Sequence, residues 1–563
     1  MALPSVPTRG ALALILGAGL LIFVPSLFTR DPWNPDEPRA TEVAREMAAS
    51  GNYLVPHLNG EPYSDKPPVF YWLASGFWHL GSGLNSGRMV SLLASLGTAL
   101  LVYALGRRTH SPETGLVAAF VTLTTLLFPF IGKFGVLDPL LTCFTTASIY
   151  CAVAAFEGGE RRGRWWFAAY VLAALAFLTK GPVGVAVPLL VAAAYGVLRR
   201  REVRKGGWWH LAGAALLLGL VAAWLVPACI QGGPAYTKDL LFQQTAQRMG
   251  EEASHYQPPY FYALWSPLFF LPWTLLLVLA VVWAVRVGRV QRDPAALLGA
   301  AWVIVVLVFF SLFSGKRERY LMPLVPGLGL LCARYFVGAM RGEAPWPRWH
   351  GGLWKATFVL IGILAIVLGV VAIEPGAIAQ RFAKKDPEAL AELKAAMTPG
   401  VLAASGVAGL AALGLCFWGI RLPRLGAGER RRVLALAAAT VVIGLAVDIV
   451  ATPIINRFKS GRNLVDQAGP YLRDADEVIL YQSEYSGVYN LFTRRTRMPV
   501  VYKEEELRQA LRTPRRVAVI AKEGDQASAR DIEKASGARI VAQERVGHRK
   551  IVVLANWQAP QAD

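Results

Sequence analysis

The chain has 563 residues, of which 54% are hydrophobic, and it carries a formal net charge of +20 at neutral pH. A mean hydropathy of +0.40 argues against a water-soluble globular protein and favours helices embedded in lipid. The basic excess falls largely in loops between apolar segments, so it indicates membrane topology and lipid headgroups and gives no reason to expect a nucleic-acid partner.

Thirteen apolar segments follow one another along the chain, and most have about the 20 residues that a helix needs to cross a bilayer. They are 11–28, 87–106, 112–131, 138–156, 165–179, 181–198, 208–228, 265–287, 294–313, 317–338, 354–373, 399–420 and 430–450. Arginine-rich loops such as 161–164 and 199–205 mark every second connection. The positive-inside rule therefore places these loops and the N-terminus in the cytoplasm and residues 451–563 outside. The sequence predicts a polytopic α-helical membrane protein with about 13 transmembrane helices.

The first long outer segment, 29–86, breaks the pattern of helix and short loop. Apolar residues recur at helical spacing between positions 40 and 47, which predicts an amphipathic helix lying in the membrane interface. The charged residues on its other faces are Glu42, Arg45 and Glu46. A second short helix over 67–80 is rich in aromatic residues, as expected at the headgroup level.

After residue 450, short β-type runs alternate with helical runs. Strands are predicted at 477–481, 499–502, 516–521, 539–544 and 549–554, and helices at 485–493, 504–512 and 527–536. This order is typical of an α/β domain, and the absence of a phosphate-loop or nucleophile motif favours a covering or docking role. We therefore expect a transmembrane domain over 1–450, with interfacial helices in 29–86 and an outer loop at 229–264, and an outer α/β domain over 451–563.

Two acidic motifs on the outer side are candidates for catalysis. Asp36-Glu37 stands at the head of the first interfacial helix, and Asp138-Pro139 opens the fourth span. Each motif is also a common helix start, because acids and an early proline suit a helix N-terminus. Two carboxylates at one level of the bilayer are able to flank a reacting centre, which favours catalysis over capping for the pair.

Basic residues on the outer face run against the topology rule and indicate an anionic ligand. They are Lys66, Lys133, Lys180, Arg248 and the cluster Lys316, Arg317 and Arg319. Arginine forks in particular suit phosphate oxygens. The competing explanations are a snorkelling side chain for Lys66, a helix C-terminal cation for Lys180 and a misplaced span for the cluster.

Arg248 and His255 lie in the second outer loop, where a solvated surface residue is, in isolation, the better explanation for both. Asp65 and His255 form a two-ligand candidate for a divalent metal, without the regular spacing of known metal motifs. The five cysteines all lie in or beside spans and form no CxxC pair, so neither disulfides nor a thiolate metal site is expected. No cofactor is required by these patterns.

Taken together, these motifs resemble the GT-C glycosyltransferases of the protein-O-mannosyltransferase superfamily, in particular the branch that transfers 4-amino-4-deoxy-L-arabinose to lipid A. The resemblance is carried by Asp36-Glu37, Tyr63-Ser64-Asp65-Lys66-Pro67-Pro68, Asp138-Pro139, Thr179-Lys180-Gly181-Pro182 and Lys316-Arg317-Glu318-Arg319-Tyr320. It covers the whole chain and implies the GT-C fold with a C-terminal periplasmic α/β domain. The stretch 241–248 is similar to the family's second outer loop, except that Ala246 stands where an asparagine is expected.

The resemblance implies a sugar donor linked to undecaprenyl phosphate and a phosphate of lipid A as acceptor. The reaction would take place at the periplasmic face of the bacterial inner membrane and confer resistance to polymyxin and cationic peptides. The implied catalytic residue is Asp36, with Asp138 and Glu37 as further candidates. The implied donor- and phosphate-binding residues are Lys66, Arg248, Arg39, Tyr63, Lys180, Lys316, Arg317, Arg319 and Tyr320. The chain is expected to act as a monomer among membrane lipids.

Two other functions remain open on the sequence. A related transferase would place another sugar on a glycan or protein hydroxyl, and Asp36 would then act as a true general base. A lipid or ion transporter is less favoured, because the notable charges lie at one interface and no internal repeat is evident. With a phosphate acceptor, which is already anionic, Asp36 need not take up a proton.

Overall fold

A computed structural model describes residues 7–199, 207–243, 256–288, 292–343, 349–374, 398–423, 427–482, 487–522, 531, 533–534, 537–546 and 549–558. The first helices are α1 Thr8–Phe23, α2 Pro25–Thr29, α3 Asp36–Ser50, α4 Val69–His79, α5 Ser86–Thr109, α6 Pro112–Thr124, α7 Leu127–Gly132, α8 Leu137–Phe156, α9 Arg162–Lys180, α10 Val183–Arg199 and α11 Gly207–Lys238. The later helices are α12 Phe261–Phe269, α13 Thr274–Trp283, α14 Pro294–Ser311, α15 Val325–Met340, α16 His350–Ile373, α17 Pro399–Arg421, α18 Ala427–Lys459, α19 Arg462–Gln467, α20 Gly469–Asp474, α21 Val488–Thr493 and α22 Glu504–Leu511. The strands are β1 His57–Leu58, β2 Glu61–Pro62, β3 Glu477–Tyr481, β4 Val500–Val501, β5 Val517–Lys522, β6 Arg539–Val546 and β7 Arg549–Ala555.

Nine helical stretches in the described part of the chain are long and apolar enough to cross a membrane, or ten if α12 and α13, bent by 108°, count as one span. Each of the thirteen predicted segments coincides with a helix or with consecutive helices. Four segments are not among the nine, and one of them is the bent pair α12 and α13. In the other three, the helix is interrupted after Thr124, α9 begins and ends with basic residues, and α10 has 17 residues. The polytopic helical architecture is confirmed, and the number thirteen stays a prediction.

The chain divides into two compact units. Unit 1 comprises Met1–Phe28, Ser64–Phe70 and Arg88–Ala451, and unit 2 comprises Thr29–Tyr63, Tyr71–Gly87 and Thr452–Asp563. Most of the outer segment that the sequence grouped with the transmembrane helices therefore clusters with the tail. Sequence order alone could not show this, since the contacts join residues more than 400 positions apart, such as Asn59 and Met498.

Unit 1 is built from apolar helices whose close contacts depend on small residues. Gly329 on α15 faces α6, where an added Cβ atom would lie 2.8 Å from the carbonyl oxygen of Ala118 and still closer to Thr122. Only glycine lets the two backbones approach so closely, as is common where membrane helices pack. At the end of α7, Lys133 Nζ contacts Asp448 Oδ2 of α18 at 2.5 Å. The basic residue predicted at this outer position thus has a carboxylate partner within unit 1.

Unit 2 contains a five-stranded mixed sheet in the order β4-β3-β5-β7-β6. Strand β3 pairs in parallel with β4 and β5, whereas β7 pairs in antiparallel with β5 and β6. The predicted strands at 477–481, 499–502, 516–521, 539–544 and 549–554 all overlap the observed ones, and the predicted helices at 485–493 and 504–512 overlap α21 and α22. Most of the predicted helix at 527–536 lies outside the described residues.

Helix α3 differs from the prediction of an interfacial helix with an exposed charged face. Glu42, Arg45 and Glu46 are all buried, with 0%, 6% and 2% of their surfaces exposed. Part of the cover is α21, whose preceding residue Gly487 adopts φ 79° and would place a Cβ atom 3.2 Å from the Glu42 Cβ atom. The spacing of the apolar residues correctly predicts a helix, but the charged residues of α3 face the interior of the protein.

Candidate functional site

Unit 1 brings together three of the predicted site residues around a buried carboxylate. Asp138, which is 2% exposed, lies in the first turn of α8, where Val136 is the N-cap residue. Its Oδ1 atom accepts a short hydrogen bond from Lys180 Nζ, and Arg319 Nε lies 3.9 Å from its Oδ2 atom. Asp138 therefore forms an ion pair with Lys180, and Arg319 lies beside this pair. The Asp138 carboxylate thus does more than stabilise the N-terminus of α8.

Lys180 occupies this position because α9 ends there. The next residue, Gly181, adopts φ 78°, a left-handed conformation that favours glycine, and its N–H closes the last turn on Phe177. The Lys180 ammonium lies 4.6 Å from the centre of the Tyr320 ring, and that ring stacks on Phe310 with the ring centres 5.9 Å apart. The cation thus has a carboxylate on one side and an aromatic face on another.

A cavity of about 380 Å³ opens beside this ion pair within unit 1. Its lining combines charged residues, Asp65 and Lys180, with an extensive apolar surface. The apolar part includes Phe177, Val183, Trp224, Leu241, Phe309 and Phe313. Cavities with a few polar groups on an apolar lining are typical of small-molecule and lipid sites. This one suits a ligand that has an anionic group attached to a hydrocarbon chain.

The loop between α14 and α15 contributes its basic residues in different ways. Lys316 is 3% exposed, and its ammonium donates to the carbonyl oxygens of Gln257, at 3.0 Å, and Phe313. Burial lowers the pKa of Lys316. The carbonyl oxygen of Arg317 accepts a 2.9 Å hydrogen bond from the hydroxyl of Tyr262. In this geometry Lys316 fixes the loop, and Arg319 Nε lies 3.9 Å from Asp138.

Lys66 lies in the same unit, within the short stretch Ser64–Phe70. It is half-buried, and its ammonium donates to the carbonyl oxygen of Asp65 at 2.7 Å. Pro67, which follows it, is buried and lines the cavity together with Asp65. The two prolines after Lys66 restrict the backbone, so they hold this stretch against the cavity wall.

The other predicted carboxylates belong to unit 2, where Asp36 and Glu37 have different surroundings. Asp36 is the first residue of α3 and is half-buried. Glu37 is 1% exposed and accepts hydrogen bonds from Arg30 Nη2, at 3.1 and 3.2 Å, and from the Trp33 N–H, at 3.1 Å. Glu37 therefore fixes the loop before α3, and Asp36 is the carboxylate of the pair with the greater exposure.

The remaining predicted residues are distributed as follows. Arg39 and Tyr63 are half-buried residues of unit 2, and the Tyr63 ring contacts the Tyr71 ring edge-on with their centres 6.4 Å apart. Arg248 and His255 lie outside the described residues, so their predicted phosphate and metal roles stay predictions. No group of three metal-ligating side chains occurs among the residues that the structure describes. Every cysteine is unpaired in the described chain.

Sequence reasoning missed two features of this site. Tyr262 is fully buried and supports the basic loop through Arg317, whereas in the sequence it is one of several aromatic residues near position 260 and no motif marks it. The pairing of Asp138 with Lys180 was not predicted, because the two residues are 42 positions apart and meet only when α8 packs against α9. The sequence did contain one signal for this pairing, because Asp138 and Lys180 have opposite charges and are predicted at the same level of the membrane.

Part of the chain matches a known protein family. Residues 65–226 match the family described as dolichyl-phosphate-mannose-protein mannosyltransferase. This range includes Asp65, Lys66, Asp138 and Lys180, whereas Asp36 precedes it.

Individual relatives match a longer part of the chain. A protein of Edwardsiella ictaluri named undecaprenyl phosphate-alpha-4-amino-4-deoxy-L-arabinose arabinosyl transferase is 33% identical over 62% of this chain and 63% of its own length. A protein of Sodalis glossinidius with the same name, numbered 1, is 34% identical over 58% of this chain and 59% of its own length. The chain thus matches about three-fifths of the length of these curated relatives.

Two solved structures share the fold over nearly the whole chain. The crystal structure of ArnT from Cupriavidus metallidurans bound to undecaprenyl phosphate has a TM-score of 0.77 and 22% identity, covering 99% of this chain and 100% of that chain. The apo structure of the same protein has a TM-score of 0.75 and 20% identity, covering 98% and 99%. The family match covers the motifs from Asp65 to Lys180, and the two solved structures, which are 22% and 20% identical, show that the chain shares their fold.

Proposed function

We propose that the protein transfers 4-amino-4-deoxy-L-arabinose from undecaprenyl phosphate to a phosphate group of lipid A. The reaction would occur at the periplasmic face of the bacterial inner membrane and would make lipid A less anionic, which gives resistance to polymyxin and other cationic peptides. The observation that carries the proposal is the cavity of unit 1, where Lys180 meets a mainly apolar lining. The names of the relatives supply the sugar and the carrier lipid.

The cavity suits a polyprenyl phosphate for two physical reasons. Its aromatic and aliphatic lining removes a hydrocarbon chain from water, which is worth about 25 cal/mol per Å² of apolar surface. Lys180 supplies a cation, and Arg319 lies beside the same carboxylate, so a phosphate that binds here meets positive charge. A lysine and an arginine next to one buried aspartate leave a net positive charge for that phosphate.

The transfer requires one bond to break and one to form. The bond between the sugar's anomeric carbon and the donor phosphate oxygen breaks, and both electrons go to the phosphate. An oxygen of the acceptor phosphate then bonds to the anomeric carbon. Because that oxygen is already anionic, no general base is needed, and Asp36 acts by stabilising positive charge that develops on the sugar or by binding its ammonium group. The cations stabilise the leaving phosphate, so this scheme requires neither a nucleotide nor a metal.

Mass spectrometry of lipid A tests the proposed function directly. We expect cells that produce this chain to contain lipid A heavier by one aminopentose, and cells without it to lack that species. Sugar on a glycan or protein instead of lipid A would support transfer to a hydroxyl, and no new glycosylated product of any kind would contradict a transferase.

Lys66→Ala is expected to reduce the transfer while the protein still folds and inserts. Lys66 is half-buried and its ammonium contacts a backbone carbonyl, so little helix packing depends on it. A contact between a cation and a phosphate is worth about 1.5–3 kcal/mol, which corresponds to a loss of about ten- to a hundred-fold. Lys66→Arg should restore part of the rate, because it returns the charge with a different geometry. Full activity of Lys66→Ala would remove Lys66 from the donor site.

Cysteine labelling tests the proposed orientation. In a background without the five native cysteines, we expect Gln558→Cys to react with a membrane-impermeant reagent in cells with a permeable outer membrane. Gly207→Cys, which follows the arginine-rich loop, should react only after the inner membrane is opened. Labelling of Gly207→Cys from outside would reverse the orientation and with it the periplasmic location of the site.

A further inference from the structure

Unit 2 has a pocket of about 450 Å³ that shares no lining residue with the cavity of unit 1. It is formed by the last turns of α3, the end of α4 with the turn after it, and the end of α21. Its polar and aromatic lining residues are Arg45, Trp78, His79 and Arg494. Gly81 and Gly83 complete one wall and have φ 85° and 53°, so the turn between them leaves room that side chains would otherwise fill.

The pocket lies at the end of a membrane helix. The apolar stretch that begins at Gly83 and continues through α5 to Thr109 is one of the nine helices able to cross a membrane. A residue at the end of such a helix is at the level of the lipid headgroups. The position of the pocket along the chain therefore places it at a membrane surface, whichever side that surface faces.

An exposed apolar stripe adjoins the pocket. Leu73, Gly76 and Leu80 follow helical spacing along and just beyond α4, and the two leucines are 43% and 81% exposed. Trp72, on the same helix, donates to the carbonyl oxygen of Tyr53 at 2.6 Å, so α4 is held to the rest of unit 2 while its leucines point outward. Exposed apolar side chains beside a span end are expected to contact acyl chains.

The two arginines of the pocket differ in their carboxyl partners. Arg45 makes two hydrogen bonds of 2.7 Å to the buried carboxyl group of Glu42, which is also hydrogen bonded to Glu46. Burial raises the pKa of Glu42 to about 8, and burial also raises the pKa of Glu46. Arg45 is therefore engaged by a carboxyl group inside unit 2.

Arg494 is the cation left over. It is exposed, and within the described part of the chain no carboxylate forms a salt bridge with it. It adopts φ 58° at the end of α21, a left-handed conformation that turns the chain at the pocket. His79, whose Nε2 atom lies 2.9 Å from the Tyr53 hydroxyl, also lines the pocket. A ring nitrogen, two guanidinium groups and a tryptophan around one pocket form a site for an anion.

We propose that this pocket binds the phosphate group of a membrane lipid headgroup, with the lipid's acyl chains against Leu73 and Leu80. The site goes beyond the proposed transfer reaction, because it contains none of the residues assigned to donor binding or catalysis. Its effect would be to anchor unit 2 to the membrane through a phosphorylated lipid. The phosphate supplies the charge that Arg494 lacks within the protein, and the stripe supplies the contact that separates a lipid from free phosphate.

Native mass spectrometry of the full-length protein in detergent tests this proposal. The probes are phosphatidylglycerol, lipid A and an uncharged diacylglycerol, with inorganic phosphate as competitor. We expect the two phosphorylated lipids to remain bound and diacylglycerol not to. Arg494→Ala should weaken binding of the phosphorylated lipids about three- to ten-fold, because one exposed charge-assisted contact is lost.

Arg497→Ala is the matched control. Arg497 is an exposed arginine three positions away that lies 3.5 Å from Glu61 and does not line the pocket, so its removal should leave lipid binding unchanged. Equal lipid binding by Arg494→Ala and Arg497→Ala would overturn the proposal. Displacement of the lipids by inorganic phosphate at equal concentration would also overturn it, since the site would then recognise free phosphate. Lipid A modification by Arg494→Ala is measured in parallel. Weaker lipid binding with normal modification means that the lipid site is separate from the transferase site. Absence of modification by the natural protein means that the proposed transferase function fails, whatever the result for the lipid site.

Discussion

Asp36→Asn is expected to abolish most of the sugar transfer while the protein keeps its melting temperature. Asp36 begins α3, where a carboxylate interacts with the helix dipole by about 0.3–1 kcal/mol, so asparagine should cost little stability. If the negative charge stabilises the sugar in the transition state, its loss should lower the rate by about 10²- to 10³-fold. The measurements are the aminopentose content of lipid A and a thermal melt of the purified protein.

Glu37→Gln should lower the melting temperature and have little direct effect on sugar transfer. Glu37 is buried against Arg30, whose side chain is 5% exposed, so removing the negative charge takes a buried carboxylate partner from the guanidinium inside unit 2. Breaking a buried ion pair costs about 3–5 kcal/mol, and we expect a clear fall in melting temperature with any loss of transfer following from it.

Near-normal transfer by Asp36→Asn would move the catalytic role elsewhere, with Asp138 as the next candidate. A common loss of stability and activity in Asp36→Asn would indicate a structural role.

The elements that the sequence predicted well are those fixed by local periodicity. Apolar runs of bilayer length mark the membrane helices, and short apolar runs rich in β-branched residues mark β3, β5 and β7, whose observed bounds differ from the predicted strands by one residue at most. These patterns depend on the local run of apolar residues, and neighbours in sequence carry that information. They need no knowledge of which distant element covers the face.

The burial of α3 shows what periodicity does not contain. The amphipathic pattern of α3 predicts an exposed face for Glu42 and Glu46, because charged residues usually are exposed. In the structure Glu46 accepts hydrogen bonds from the N–H groups of Asn59, at 2.6 Å, and Gly60, at 3.0 Å, and Arg45 pairs with Glu42. Each charge is satisfied by a partner inside unit 2. The partners of Glu46 come from the loop at 59–60, and the pattern of α3 alone cannot indicate them.

Lys316 illustrates a second limit, which concerns backbone groups. The sequence treated Lys316, Arg317 and Arg319 as one phosphate-binding cluster, since their charges are equal and adjacent. The structure separates them, because two backbone carbonyls accept hydrogen bonds from the Lys316 ammonium while Arg319 lies beside Asp138. A sequence displays side-chain charges but not the positions of carbonyl oxygens, so it cannot distinguish a lysine that fixes a loop from one that binds a ligand.

Asp138→Asn is expected to destabilise the protein more than Lys180→Met, although both remove one partner of the same ion pair. Without Asp138, the half-buried ammonium of Lys180 loses a buried carboxylate partner and keeps Arg319 as a neighbouring cation, so the cost should approach about 3–5 kcal/mol. Without Lys180, Asp138 still has Arg319 Nε at 3.9 Å, which should reduce the cost. Melting temperatures of the two variants in the same detergent measure this difference.

The double variant Asp138→Asn with Lys180→Met distinguishes structural support from participation in transfer. It removes both charges, so most of the stability lost by Asp138→Asn alone should return. Sugar transfer should stay at least about ten-fold below the natural protein, because the cation that faces the donor phosphate in the cavity is still missing. Recovery of both stability and transfer would reduce the pair to a link between α8 and α9. Recovery of stability alone requires Lys180 to act on the bound donor, with Asp138 holding its ammonium beside the Tyr320 ring.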